Sequence, residues 1–229
     1  MITILLILSV IVGVFLGKFF GSNERFAKNL LILSAGFLIT VCVLEVFPEV
    51  YSTSDHNIGI WIIGGVLLQM ILESLTKGFE HGHFHHHNDE KSILPIALMF
   101  GMFIHAFLEG IPLANITETT SPYLLGIVFH NLPISFILGA FLLGRKSSVL
   151  SWIIVGIFAL SSPLGMLFGN YFNPNLQNYF LALVGGIFLH ISSVIIFESN
   201  KNHKMDWMKI ILVIAGVGLA LVNHIFHSH

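Results

Sequence analysis

Eight apolar runs, each close to twenty residues and separated by short polar connectors, account for nearly all of this 229-residue chain. A run of ~20 apolar residues is long enough to cross a hydrocarbon core ~30 Å thick. Inside lipid every backbone N–H and C=O must find its partner within the protein, which a continuous segment achieves only as a helix. The spans expected are Ile2–Phe20, Leu30–Val50, Ile58–Lys77, Ile93–Ala114, Pro122–Leu143, Val149–Tyr171, Asn178–Phe197 and Lys209–Phe226. Charged residues make up only 10% of the chain, whereas a soluble domain carries about 25%. The fold class expected is an all-α polytopic membrane protein, a single transmembrane domain over residues 1–229 with almost no water-soluble part. A net charge of -2 gives no case for nucleic acid, and the lone Cys42 excludes an intramolecular disulfide. The first run has no basic start and no small-residue cleavage pattern, so it reads as the first span and not as a cleaved leader.

The basic residues orient the chain. Lys18, Arg25 and Lys28 surround the first connector, Lys77 and Lys91 flank the third, Arg145 and Lys146 lie in the fifth, and Lys201, Lys204 and Lys209 belong to the seventh. These are all 10 Lys and Arg, and in an eight-span arrangement every one falls on the same side. The positive-inside rule then places both termini outside. A missed span would scatter the charges, so their agreement also supports the count.

Histidines and acids carry the chemistry. The third connector, residues 79–92, reads FEHGHFHHHNDEKS and faces the cytoplasm in this arrangement. His81, His83, His85, His86 and His87 lie there at irregular spacing among three acids, a composition suited to adaptable metal binding. Within the spans, HAFLEGIP places His105 and Glu109 four residues apart, on one face of a helix. HNLP in the next span adds His130 and Asn131. An ionisable group inside a membrane span is costly and marks a functional site by default. His105 lies nine residues from the outer end of its span, His130 eight and Ser162 nine. At ~1.5 Å per residue all three sit roughly 12–14 Å deep, near the midplane. A lone histidine on an apolar face is ordinarily a satisfied core residue; two at matched depth, one with a carboxylate a turn away, point to a ligand cluster. Glu45, Glu49, Glu73, Ser162 and His190 are further relay or supporting candidates, though Glu49, like Glu198 and His224, lies nearer an interface, where a polar end can snorkel to water. Pro112 and Pro133, each three residues after Glu109 or His130, free a carbonyl one turn earlier.

Imidazole with carboxylate suits Zn²⁺ first, then Fe²⁺, Mn²⁺ or Co²⁺, whereas Ca²⁺ and Mg²⁺ prefer all-oxygen sites. Three protein ligands with an open position bind less tightly than a closed four-ligand structural zinc site. That suits an ion that must leave again.

These motifs resemble those of the ZIP (ZRT/IRT-like) metal transporters. HAFLEGIP is similar to that family's fourth-span histidine–glutamate motif, HNLP to the start of its fifth-span motif and SSPLGMLFG to its sixth-span Pro-Leu-Gly segment. GGIFLHISSVIIFE resembles its seventh-span motif, and FPE at residues 47–49 the end of its second. The resemblance implies a ZIP-like helix bundle with inverted repeats and both termini outside. It also implies import of zinc or a related divalent ion into the cytoplasm between spans four and five, by movement of one helix bundle against another. His105, Glu109 and His130 match the family's primary metal site, and Asn131 lies where a second site would draw a weaker ligand. The acids that complete a binuclear site are missing: Ile134 stands four residues after His130, Ser162 before the Pro-Leu-Gly segment, and Ala106 after the fourth-span histidine.

Two other functions compete with import. A metal sensor that no longer transports would fit the missing second-site acids and the histidine tract. An intramembrane zinc-dependent hydrolase is disfavoured, since no HExxH is present and no wet domain receives a substrate; nor is there a GxxxxGK[ST] phosphate loop. The partners expected are the metal ion and the bilayer, at the plasma (inner) membrane, with a homodimer compatible with both.

The orientation is checked by cysteine labelling in a Cys42→Ser background. A cysteine at Asn88 reacts with an impermeant reagent only from the cytoplasmic face and one at Asn175 only from outside; labelling of both from one side would refute eight spans.

Overall fold

The computed structural model describes residues 1–21, 23–53, 55–76, 96–143, 148–198 and 206–227. Among these there is helix and no strand. The helices are α1 (Ile2–Phe20), α2 (Glu24–Val41), α3 (Phe47–Tyr51), α4 (Gly59–Thr76), α5 (Ile96–Gly110), α6 (Pro122–Leu143), α7 (Val149–Gly169), α8 (Pro174–Glu198) and α9 (Trp207–His227). A π-helical segment, Cys42–Val46, joins α2 to α3, and a 3₁₀ turn, Ile111–Asn115, continues α5. Seven segments among the described residues are long and apolar enough to cross a membrane. The remaining expected span, Ile93–Ala114, is represented by α5 and its 3₁₀ turn; residues 93–95 and the histidine tract with His81, His83, His85, His86 and His87 lie outside the described residues.

Element limits differ from the sequence reading where a proline or a polar cap intervenes. The second helix begins at Glu24, six residues before Leu30, because the Asn23 side chain accepts the Phe26 N–H at 3.1 Å and caps it. Its apolar run, 27 residues to Tyr51, exceeds what a perpendicular crossing needs. Near its far end Pro48 has no N–H and its ring crowds the carbonyl a turn earlier. The chain widens there, and the Phe47 N–H reaches Cys42 O in place of residue 43. The wide turn contains Glu45. The seventh span likewise starts early, at Pro174, a residue favoured at a helix start, with the Asn173 side chain accepting the Leu176 N–H at 2.8 Å.

Without a hydrophobic drive between helices in lipid, close approach at small residues supplies the packing. A Cβ on Gly65 of α4 would lie 1.9 Å from Leu183 O of α8, and one on Gly165 of α7 would lie 1.9 Å from Phe107 O of α5. Helices α1 and α6 meet at Gly17, and α2 and α9 at Gly216, in the same manner. Four backbone-tight pairs result, and they assemble into two groups. One contains α1, α5, α6 and α7; the other contains α2 with α3, α4, α8 and α9.

The boundary between the groups is of a different kind. It runs along α2 against α6 and α4 against α5, and side chains fill it. Leu38 and Val41 of α2 stand 3.6 Å from where a Cβ on Gly126 of α6 would be, ordinary van der Waals contact. The Thr76 methyl abuts Gly101 of α5. The outward faces present Trp152, Ile157, Leu164, Ile211, Ile214 and Val222, a continuous apolar surface that belongs in lipid.

At the end of the bundle where α4 starts, Asp55 accepts the Asn57 N–H at 2.8 Å and the Tyr179 hydroxyl at 2.9 Å. That N–H, and then the hydroxyl, hold its carboxyl below the ordinary value.

The sequence pair Gly64-Gly65 divides: Gly65 is the contact, whereas nothing lies within 4 Å of a Cβ on Gly64. Gly65→Ala is expected to lower the thermal midpoint of the detergent-solubilised protein, since overpacking costs typically ~1–3 kcal/mol, while Gly64→Ala leaves it unchanged. Equal midpoints for the two variants would contradict the packing described.

Candidate metal site

Residues His105, Glu109 and His130 come together in the middle of the first helix group. Each offers one ligand atom, and these atoms all lie within 4.8 Å of one another. All three are buried, at 1%, 0% and 0% exposure respectively. Helical spacing alone brings His105 Nε2 to 2.9 Å from Glu109 Oε1, one turn away on α5. His130 joins from α6, its ring edge-on to that of His105 with centroids 5.8 Å apart.

Glu109 occupies the last turn of α5, where carbonyls lack helical partners. In the 3₁₀ turn that follows, the donor three residues on would be Pro112, which has no N–H. The hydroxyl of Tyr123, in the first turn of α6, donates instead to Glu109 O at 2.8 Å. This bond ties the end of α5 to the start of α6 beside the triad. In α6, Pro133 interrupts the ladder below His130, and the Ser135 hydroxyl donates to Asn131 O.

Behind His105, its Nδ1 lies 3.2 Å from Oε1 of Gln69, a residue of α4 with no exposed surface. When Gln69 accepts there, Nε2 and the carboxylate of Glu109 turn two lone-pair-bearing atoms toward one point. A shared cation, either a proton or a metal ion, reconciles them. Two imidazole nitrogens and a carboxylate are a borderline-soft donor set suited to zinc and its neighbours.

Among the described residues, no other acid or histidine anticipated from sequence joins this group. Asn131 is buried next to His130, at 2% exposure. Ile134 and Ala106 are buried as well, and neither offers a ligand atom. Ser162 packs against Gly110, its carbonyl 2.1 Å from where a Cβ on that glycine would be, so it marks the α5–α7 contact. Glu73 pairs with His190 Nε2 at 2.8 Å, toward the opposite end of the bundle from Glu109. Glu45 pairs with His224 Nδ1. Both pairs belong to the second helix group, while the triad lies in the first. Glu49 is exposed at the end of α3, and the side chain of Glu198 lies outside the described residues.

Two supporting residues, Gln69 and Tyr123, escaped the sequence reading. A glutamine in mid-span is a signal in itself, being a strongly polar group with no water to satisfy it. Tyr123 gave none, because tyrosine near a span end is the commonplace interfacial anchor.

An open depression of ≈ 510 Å³ lies above the triad, at the end where α1 begins, and Glu118, Thr117, Thr120 and Asn170 line it. Leu113, fully buried and one turn after Glu109, lines the depression. His227 Nδ1 lies 3.4 Å from Glu118 at its rim, and the Asn223 amide donates to Thr120 O at 3.1 Å. These contacts join α9 to the loop before α6 and so cross between the groups.

A family profile described as ZIP zinc transporter matches residues 80–224. The chain belongs to the ZIP zinc transporter family, and it is accordingly an integral membrane transporter of divalent metal ions. No individual curated protein matches it.

Proposed function

We propose that this protein imports a divalent transition metal, zinc before Fe²⁺, Mn²⁺ or Co²⁺, into the cytoplasm, and that His105, Glu109 and His130 bind the ion in transit. The carrying observation is the buried triad in a chain of this family, with all ligand atoms within 4.8 Å. Eight spans with both termini outside the plasma (inner) membrane complete the reading, supported by the one-sided distribution of the basic residues. The ion enters by the depression at Glu118, passes Leu113 and loses its water to the triad. It leaves toward the cytoplasm past Glu73 and His190, with the histidine tract as a buffer at the exit.

Movement follows from how the helices are joined. All three ligands belong to the first group, where Tyr123 of α6 also bonds the end of α5, so they travel together. The boundary with the second group, filled by side chains and without backbone-tight glycine contacts, is where the shift takes place. Alternating access is then a displacement of the first group, carrying its ion, against the second.

The triad takes one ion at a time. Two dications ~4 Å apart repel with four times the ~4 kcal/mol of a unit pair at an effective dielectric of 20. Bridging carboxylates would have to offset that, and Glu109 is the one acid of the group. Ile134 contributes nothing, and Asn131 is neutral.

Uptake into proteoliposomes tests the assignment. His105→Ala, Glu109→Ala and His130→Ala each abolish saturable zinc entry while the protein inserts and elutes normally. Replacement of His81, His83, His85, His86 and His87 by Ser lowers the bound metal but leaves the initial rate substantially intact. Normal uptake by the triad variants would move the site elsewhere, and binding without flux in the unaltered protein would favour the sensor.

A further inference from the structure

We propose that Gln69 is a positioning residue for His105: from the other helix group it fixes which ring nitrogen the ion receives. The inference rests on the reading of His105 as a metal ligand. Neutral imidazole carries one N–H, and the hydrogen bond made by one nitrogen decides which atom is left to bind a metal. The Gln69 carbonyl oxygen can only accept, and it stands 3.2 Å from His105 Nδ1. It therefore holds the proton on Nδ1 and leaves the Nε2 lone pair on the side of Glu109, 2.9 Å away.

The α4 backbone is well placed to hold Gln69 still. One turn before it, Gly65 is locked against Leu183 O of α8; one turn after it, Glu73 is bound to His190 of α8 at 2.8 Å. Residues 65, 69 and 73 share a face, so Gln69 is set between two anchors to α8. It is wholly buried, and the polar contact it makes with His105 spans the boundary that side chains otherwise fill. The hydrogen bond lasts only while the two groups keep this register. A shift of the first group withdraws the acceptor from His105 and weakens its hold on the ion, so release and movement are linked through one contact.

The opposite amide orientation makes a distinct prediction. With the Gln69 amide nitrogen facing His105, Nδ1 would accept, the proton would sit on Nε2, and the metal-facing atom would be blocked.

The test uses the full chain with the five loop histidines replaced by Ser, so that titrated zinc reports the intramembrane site. Gln69→Leu is expected to lower zinc affinity ~10–100-fold, the usual loss when such a partner is removed, and Gln69→Glu, which keeps an acceptor oxygen, is expected to restore it. In uptake the Leu variant raises the half-saturating concentration and leaves the maximal rate in place. Nitrogen NMR of isotope-labelled histidine in the zinc-loaded protein should show His105 bound through Nε2 with the proton on Nδ1, and a loss of that preference in the Leu variant. Unchanged affinity and unchanged ring signals in Gln69→Leu, with binding abolished in His105→Ala, would overturn the role of Gln69 while leaving the metal site intact. Binding that survives His105→Ala would overturn the metal reading itself. Should Gln69→Leu fail to fold, an Nδ1-bound His105 in the unaltered zinc-loaded protein overturns the inference on its own.

Discussion

A carboxylate with no exposed surface, at the centre of a helix bundle in lipid, is the constraint on which this structure turns. Glu109 cannot be left as an isolated charge, since bare burial of an ionised carboxylate costs far more than a domain's whole stability. Two imidazoles surround it, and the arrangement is complete once a cation joins them. The site is thereby a place where an ion is worth most when it has shed its water. On the proposed reading of the triad as a metal site, three ligands leave a position open and so make no permanent cage.

Packing serves that requirement. Glycines let α1 and α6, and α5 and α7, approach backbone to backbone, and α1 also touches α7. Tyr123 and the Pro112 turn settle the end of α5, which fixes where Glu109 points. The second body holds its own polar pairs, Glu73 with His190 and Glu45 with His224, and it reaches the site through Gln69. Backbone-tight glycine contacts lie within each body, and side chains fill the boundary between them.

Much of this was legible in the chain because lipid removes alternatives. Runs of the right length had to be helices, and i,i+4 spacing made the His105–Glu109 approach nearly automatic. His130 followed from matched depth. The details that escaped are those set by local exceptions to helix geometry or by neighbours remote in sequence. Pro48 widens the second helix into a π turn around Glu45, and periodicity does not foretell where such a turn is absorbed. Gln69 meets His105 from 36 positions earlier in the chain, a contact that depends on which helices pair. The backbone of Ser162 marks a helix contact beside Gly110, which its depth in the span did not foretell. Depth places a residue at a level, but only the rotation of its helix decides what it faces.

The most direct test of the central claim is zinc X-ray absorption on the protein with its five loop histidines replaced by Ser and one equivalent of metal added. Two imidazoles and a carboxylate around a single zinc, with one imidazole lost in His130→Ala, is the result this account predicts. Metal–metal scattering, or a first shell without imidazole, would contradict it.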